Sequence, residues 1–177
     1  MTEILPVDAP DDILPEYRDG PVGRLLEYQN LSRPLGPASA ELLVGMCMDS
    51  RKVLRIPSSF AYVIRTAGAN MRDNEFRISY AIAIGGVRTI ALVAHTDCGM
   101  TRVADQREAF IRGLVEHAGW DEARAEALYA EGVPKFAIDN AVAFVMTEAA
   151  RLRELYPKIS VVPLLYRVED DRLYQLR

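Results

Sequence analysis

The stretch Thr89–Gly99, TIALVAHTDCG, is an apolar run that ends abruptly in polar residues. Uninterrupted apolar residues through its centre are typical of a strand that is buried on both faces of a parallel sheet. Its polar end holds one of the two histidines and one of the two cysteines in the 177-residue chain. The stretch therefore predicts a buried strand whose carboxyl end presents a nitrogen donor and a sulfur donor, His95 and Cys98.

Outward from this strand, apolar runs alternate with segments of helical character. AELLVGMC, which ends at Cys47, and FAYVIRTAG, which ends at Gly68, are predicted to be two further buried strands. The C-terminal ISVVPLLYRVEDDRLYQL is predicted to form a strand, a turn and a short edge strand. Because strands alternate with helices, the predicted fold class is α/β: a single domain with a mainly parallel central β-sheet flanked by helices, an N-terminal arm and a C-terminal edge strand.

Three helices are predicted between and after these strands. The first helix covers 73–86, and the apolar residues on one of its faces are Phe76, Tyr80, Ala83 and Ile84. The second helix covers 101–131 with an interruption near Gly119. The third helix begins at Pro134, a residue type favoured in the first turn of a helix.

The N-terminal segment differs in composition from the rest. Residues 1–22 are acidic and Pro-rich, which predicts a poorly ordered or surface-lying stretch, and Gly23–Leu31 predicts a short amphipathic helix. SRPLGPAS, which follows, is typical of a linker. We therefore expect an arm at 1–35, either part of the same domain or embracing a second copy of the chain, and a zinc-binding domain at 36–177 for the reasons below.

The composition narrows the class of protein. The net charge of −4 comes from 21 basic and 25 acidic residues without a dense basic block, which argues against nucleic-acid binding. We find no apolar run long enough to span a membrane and no signal-peptide pattern at the N-terminus. We therefore expect a cytoplasmic protein without nucleic-acid or membrane partners, whose two cysteines serve a metal or catalysis rather than a disulfide.

The ends of the predicted strands bring chemistry-bearing residues to one edge of the sheet. Cys47, Gly68 and His95 each stand at the carboxyl end of a predicted strand, where ligands bind in parallel sheets. With Cys98, the donor set becomes two thiolates and one imidazole, which suits zinc. In catalytic zinc sites three protein ligands leave a fourth position for water, whose pKa the metal lowers to about 7. We expect one zinc ion per chain.

The residues after Cys47 provide the second half of the predicted site. In CMDSR, Asp49 and Arg51 lie two and four residues beyond Cys47. A carboxylate beside a zinc-bound water accepts its hydrogen bond, or displaces the water and becomes the fourth ligand. A bidentate pair with Arg51 would keep Asp49 off the metal. The sequence leaves both states open.

The motifs CMDSR, VIRTAG and HTDCG, in this order and at these spacings, resemble those of the β-class carbonic anhydrases. The resemblance is strongest over residues 41–101. It implies that the zinc ligands are Cys47, His95 and Cys98. It also implies that Asp49 and Arg51 form the Asp–Arg dyad of that family.

The resemblance further implies reversible hydration of carbon dioxide to bicarbonate and a proton by zinc hydroxide, in a homodimer or higher homo-oligomer. The family's pocket-lining stretch falls on Arg65–Gly68, where Thr66 replaces the usual Asn. Arg65 is expected either to bind an anion or to pair with a carboxylate. The candidate pocket residues are Arg65, Ala67, Gly68 and Gly99.

Three other interpretations stay open at this stage. Relatives on the same scaffold hydrolyse carbonyl sulfide or carbon disulfide, which are linear, apolar and isoelectronic with carbon dioxide. A non-catalytic zinc or redox-sensing module would use Asp49 to close the metal site. A nucleophile pair, with His95 as the base for Cys98, would leave Cys47 without a role.

Overall fold

The computed structural model describes residues 2–177 and consists of one central sheet with helices on both faces. The strands are β1 (Ile4–Leu5), β2 (Leu42–Cys47), β3 (Ala61–Thr66), β4 (Thr89–His95), β5 (Ser160–Arg167) and β6 (Arg172–Leu176). The α-helices are α1 (Pro15–Arg18), α2 (Pro21–Asn30), α3 (Glu75–Ala83), α4 (Arg107–Ala118), α5 (Glu122–Phe136) and α6 (Ala141–Leu155). Single turns of 3-10 helix occupy Pro10–Asp12, Ala67–Ala69, Arg72–Asn74, Gly99–Thr101 and Val103–Asp105.

The strand order of the sheet is β1-β6-β5-β4-β2-β3. Strands β2 to β5 run parallel, whereas β6 is antiparallel to β5 and β1 is antiparallel to β6. After β3 the chain crosses to the other side of β2, so β2 and β4 are neighbours where the strand order reverses. Ligands bind beyond the carboxyl ends of the strands at such a point. The predicted α/β fold with a mainly parallel sheet is confirmed.

The central strands are buried because each contributes side chains to two cores. On one face, Val44 of β2 packs in a cluster with Leu25 of α2. On the other face, Leu43 of β2 packs with Ile78 of α3 and Leu152 of α6. Adjacent strand residues point to opposite faces, so a strand between two helical layers needs apolar residues at every position. Each buried Leu or Ile contributes about 1.5–3 kcal/mol relative to an exposed one.

The first predicted helix forms, and its predicted apolar face lies toward solvent rather than toward the core. Ile78 and Ala81 of α3 face the core, whereas Phe76, Tyr80 and Ile84 are 83%, 53% and 71% exposed. Helical periodicity identifies a stripe of apolar residues but not the body against which it packs. A helix with apolar residues on two sides can therefore dock either way.

Strand β3 is also more exposed than predicted. It is the edge strand of the sheet next to β2, and Tyr62 and Val63 are 39% and 45% exposed. At the other edge, β1 pairs outside β6, so the C-terminal strand lies one position in from the edge. An apolar run is equally compatible with burial by the same chain and with an apolar surface.

The start of the third predicted helix was placed too early. Pro134 lies inside α5, near its C-terminal end, and α6 begins only at Ala141. The side chain of Asn140 accepts a hydrogen bond from the backbone N–H of Ala143 at 2.9 Å and caps α6. A proline in the last turn of one helix and a proline in the first turn of the next look alike in local sequence.

The N-terminal segment 1–22, predicted to be poorly ordered or to lie on the surface, packs into the core of the domain. Met1 lies outside the described residues. Val7 and Ile13 are buried in the core, and β1 extends the sheet. The buried Gln175 side chain of β6 donates to the Asp12 carbonyl and accepts from the Leu14 N–H.

Within residues 2–177, no helix combines the length and the apolar character needed to cross a membrane.

Candidate metal centre

The carboxyl ends of β2 and β4 carry the three predicted ligands. Cys47 is the last residue of β2 and His95 is the last residue of β4, and these two strands pair directly. Beyond His95 the chain turns through Asp97, whose φ of 52° is left-handed, and reaches Cys98. Asp adopts this backbone region more readily than most residues with a side chain.

The three side chains form one buried cluster. One donor atom from each of Cys47, His95 and Cys98 lies within 4.8 Å of the others, and the residues are 5%, 1% and 2% exposed. His95 Nδ1 lies 2.8 Å from the Thr96 carbonyl oxygen, whereas the buried Nε2 atom has no hydrogen-bond partner within residues 2–177. A neutral imidazole that donates from Nδ1 keeps the Nε2 lone pair free for a metal. The donor set and the unpartnered nitrogen both fit zinc.

The thiols of Cys47 and Cys98, which lie within 4.8 Å of each other, differ in how readily they ionise. The pKa of Cys47 is lowered, chiefly by the neighbouring Cys98 thiol and to a smaller extent by His95 and by the backbone N–H groups of Asp49 and Gly68, against the opposing effect of burial. The pKa of Cys98 is raised because its thiol keeps the shared proton and is buried. A bound divalent cation would deprotonate both thiols, so the cluster is chemically suited to a metal.

Arg51 holds the Asp49 carboxylate at both oxygens. The Nε atom of Arg51 lies 3.1 Å from Oδ1, Nη2 lies 2.7 Å from Oδ2, and the backbone N–H of Arg51 donates to Oδ1 at 2.9 Å. These bonds hold the pKa of Asp49 well below its usual range. This is the arrangement that the sequence analysis associated with an open metal position.

The guanidinium of Arg51 also reaches the turn that leads to Cys98. Its Nη1 lies 2.7 Å from Asp97 Oδ2, and its Nη2 lies 2.9 Å from the Asp97 carbonyl oxygen. Arg102 donates to the other Asp97 oxygen, Oδ1, at 2.7 Å. Neither Asp97 nor Arg102 was predicted from the sequence to belong to the site. Their only signal was the position of Asp97 between two candidate ligands, because its partner Arg51 is 46 residues away.

Two further cations fix the backbone after β2. Lys52 is 1% exposed, its Nζ donates to the Asp49 carbonyl at 3.0 Å, and burial lowers its pKa. Arg65, for which we expect an anion or a carboxylate as partner, donates to the carbonyl oxygens of Cys47, Asp49 and Lys52 at 3.3, 3.4 and 3.0 Å. Both side chains therefore brace the segment that carries Cys47 and Asp49, and the sequence analysis did not identify Lys52.

The turn after β3 lies against Cys47, which is paired with Thr66 in the sheet. Gly68 is buried with a φ of 62°, and a Cβ there would lie 3.4 Å from the Cγ of Met100. Residues with a side chain are strained in this backbone region. A Cβ at Gly99 would meet nothing within 4 Å in the described part of the chain. Of the two candidate pocket glycines, only Gly68 is required by its backbone.

Two cavities adjoin the site. The first, of about 260 Å³, begins at Ala67 and Met100, and its remaining lining residues are Val103, Phe110, Leu128, Tyr129, Gly132, Val133 and Phe136. The Tyr129 hydroxyl donates to the Val103 carbonyl at 2.7 Å, so its polar atom is engaged. The second cavity, of about 370 Å³, touches His95 and Cys98 and includes charged side chains. The site is thus bordered by an apolar cavity and by one lined by both polar and apolar side chains.

Known proteins share this sequence pattern and this fold. Residues 42–172 match the family described as carbonic anhydrase. The chain is 37% identical over 89 residues to beta-carbonic anhydrase 1 of Mycobacterium tuberculosis, covering 47% of this chain and 53% of that protein. It is 36% identical over 100 residues to a carbon disulfide hydrolase of an Acidianus species, covering 53% and 48%. The match thus spans about half the length of these curated relatives.

A solved structure has the same fold. The crystal structure of beta-carbonic anhydrase isoform I from Trichomonas vaginalis superposes with a TM-score of 0.62 at 19% identity, over 80% of this chain and 85% of that chain. Together with the family match over residues 42–172, the relatives confirm the resemblance seen in the motifs. The chain belongs to the β-class carbonic anhydrase family, in which carbon disulfide hydrolases are also found.

Proposed function

We propose that this member of the β-class carbonic anhydrase family catalyses the reversible hydration of carbon dioxide to bicarbonate and a proton, with one zinc ion held by Cys47, His95 and Cys98. The observation that carries the proposal is the ion pair in which Arg51 binds both oxygens of Asp49. The carboxylate that adjoins the donor set is therefore engaged elsewhere. Three protein ligands then leave a coordination position for chemistry.

A zinc ion in this cluster would supply a nucleophile derived from water at neutral pH, because it lowers the pKa of water to about 7. The protein's own part is to bind and orient. An ionised carboxylate has roughly four acceptor positions, and the Arg51 bonds leave Asp49 able to accept one further hydrogen bond. Asp49 would use it to orient the attacking oxygen and receive its proton. Lys52 and Arg65 keep the Asp49 backbone in place.

Hydrolysis of carbon disulfide or carbonyl sulfide is the second candidate function. The observation that favours it is the 36% identity with the Acidianus carbon disulfide hydrolase, which is level with the 37% identity to the mycobacterial carbonic anhydrase. The apolar cavity that begins at Ala67 and Met100 suits any of these linear apolar molecules. An assay must therefore choose among the three substrates.

A non-catalytic zinc or redox-sensing module is the third candidate. Asp49 would have to leave Arg51 and become a fourth ligand, at the cost of charge-assisted hydrogen bonds. Cys47 and Cys98 do not form a disulfide with each other. The ion pair therefore favours the catalytic interpretation over this one.

We also propose that the chain forms a homodimer or higher homo-oligomer. Four exposed apolar or aromatic side chains from β3 and α3 line one shallow groove, the β3–α3 patch: Tyr62, Val63, Phe76 and Tyr80. Strand β3 is an edge strand with a free side for pairing. Contiguous exposed apolar surface beside such an edge is typical of a protein–protein contact.

The proposed activity is tested by stopped-flow hydration of carbon dioxide with the full chain at a measured zinc content. Sulfide release from carbon disulfide and from carbonyl sulfide is followed in parallel, and a zinc-free His95→Gln variant serves as the background. We expect turnover of carbon dioxide that depends on zinc. Sulfide release without carbon dioxide turnover would support the second candidate. A zinc-loaded protein that turns over none of the three substrates would support the non-catalytic module and contradict the proposal.

A further inference from the structure

We propose that Asp97, braced by Arg102, is a positioning residue that keeps Arg51 on Asp49 and thereby keeps Asp49 away from the metal cluster. The inference deepens the proposed function and rests on it in one respect, namely that Cys47, His95 and Cys98 bind a metal. It concerns two residues to which neither the motif nor the family match assigns a role.

The ion pair between Arg51 and Asp49 needs support because Arg51 is open to solvent. The Arg51 side chain is 47% exposed. An exposed arginine loses rotamer freedom when it is held in one geometry, and pairs of this kind are weak when they stand alone. Asp97 supplies two further acceptors, its Oδ2 at 2.7 Å from Nη1 and its carbonyl oxygen at 2.9 Å from Nη2. The guanidinium is therefore held on both sides.

The two carboxylates share Arg51 without competing for the same edge. Asp49 takes the Nε and Nη2 edge, and the Asp97 carboxylate takes Nη1. Arg102 occupies the other Asp97 oxygen at 2.7 Å, so Asp97 cannot turn both oxygens toward Arg51. The charges alternate along the row from Asp49 to Arg102. Networks of this kind are worth more than isolated pairs.

The position of Asp97 in the chain makes this support relevant to the metal cluster. Asp97 lies in the turn between His95 and Cys98, and Asp49 lies two residues beyond Cys47. Arg51 therefore connects the two segments that carry the three donor residues. We infer that loss of the Asp97 carboxylate would remove the acceptor of Arg51 Nη1, so Arg51 would hold Asp49 less firmly and Asp49 would be freer to turn toward a metal ion bound by the three donors.

The test uses two variants that change the support of Arg51 but not Asp49 itself. Asp97→Asn keeps a residue that tolerates the left-handed φ of 52°, and Arg102→Gln leaves the turn residue unchanged. Each is made in the native chain and in an Asp49→Ala background. Glu126→Gln, which removes a partly exposed ion pair with Arg107 between α4 and α5, is the matched control. The proteins are loaded with cobalt(II), whose visible absorption reports the coordination geometry.

We expect both variants to change the cobalt absorption in the native chain and to leave it unchanged when Asp49 is absent. The second-order rate constant kcat/KM for carbon dioxide should fall about tenfold in the native chain only, a typical coupling for residues of one network. An absorption change of equal size in both backgrounds would overturn the inference, because Asp97 would then act independently of Asp49. An unchanged spectrum in both variants would overturn it as well.

These outcomes are separable from the fate of the proposed function. The cobalt spectra require only that the cluster binds metal, so they remain informative if the protein does not hydrate carbon dioxide. Conversely, fast hydration by the native chain combined with an unchanged spectrum in the variants would keep the proposed function and reject the role of Asp97. The Arg102→Gln result decides the matter if Asp97→Asn does not fold.

Discussion

Arg51 binds both carboxylate oxygens of Asp49, from Nε to Oδ1 at 3.1 Å and from Nη2 to Oδ2 at 2.7 Å. The backbone N–H of Arg51 donates to Oδ1 as well, so the pair closes within one short loop. A carboxylate held at both oxygens has a defined orientation, which a solvated carboxylate lacks. The polypeptide therefore orients this part of the site independently of any bound group.

Replacement of Asp49 by Ala should separate metal binding from activity. We expect Asp49→Ala to retain zinc, because Asp49 is engaged by Arg51 and not by the cluster, and to lose about 10²–10⁴-fold in carbon dioxide hydration, the usual contribution of a general acid–base group. Zinc is measured by elemental analysis and activity by stopped flow, with Glu126→Gln as the control. A fully active Asp49→Ala protein would remove Asp49 from the mechanism.

The two histidines of the chain form a matched pair for testing the ligand assignment. His95 is buried in the cluster, whereas His117 lies exposed on α4. We expect His95→Gln to weaken zinc binding by at least about 100-fold, since losing a ligand costs more than losing a group that hydrogen-bonds to a ligand, and His117→Gln to bind zinc normally. Cys98→Ser should likewise lose most of its zinc. Competition with a chromogenic chelator measures the affinities, and full zinc retention by Cys98→Ser would refute the donor set.

Ala substitutions at two glycines with left-handed backbone distinguish the general cost of backbone strain from a specific effect on the metal site. Gly68 and Gly86 have φ values of 62° and 74°, so we expect Ala at either position to cost about 1–2 kcal/mol of unfolding free energy. Gly68 lies in the turn that follows Thr66, the sheet partner of Cys47, whereas a Cβ at Gly86 would meet nothing within 4 Å in the described part of the chain, so only Gly68→Ala should weaken zinc binding. Urea unfolding gives the stability and chelator competition gives the affinity. Equal zinc affinity in both variants would show that the conformation of the turn at Gly68 does not affect the donor set.

The β3–α3 patch predicts a mutation that should disrupt self-association. Val63 is 45% exposed on the edge strand, and Val115 is 38% exposed on α4, outside the patch. We expect Val63→Lys to shift the protein toward a single chain, because a charge in an apolar contact loses its hydration without a partner. Val115→Lys should leave the assembly unchanged. Sedimentation velocity distinguishes the two, and an unchanged sedimentation coefficient for Val63→Lys would argue that the oligomer uses another surface.

Local patterns accounted for much of the fold. Strands β2, β4 and β5 were predicted because they are apolar at nearly every position, and this requirement arises wherever a strand lies between two helical layers. The orientation of α3 was not predictable in this way. Its apolar residues lie on two sides, Ile78 toward the core and Phe76 toward solvent, and only the position of the sheet decides which side is buried.

The candidate site likewise has features that the local sequence predicted and features that only the packing of the whole chain decided. That Cys47, His95 and Cys98 would meet followed from their places at strand ends, since parallel strands align their carboxyl ends at one edge. The hydrogen-bond partners of Arg51 and Arg65 could not be predicted from the sequence in this way. Arg65 donates to three backbone carbonyl oxygens, which the local sequence did not indicate.

The sequence by itself determined the α/β class, the strand ends and the thiolate and imidazole donors they carry, because these depend on residue type and on short-range periodicity. Only the tertiary structure decided which carboxylates Arg51 holds, that Lys52 is buried beneath Asp49, and which side of α3 faces solvent. A guanidinium can reach any of several carboxylates and carbonyls within its length. Its choice depends on distances between segments that are remote in sequence, and packing of the whole chain sets those distances.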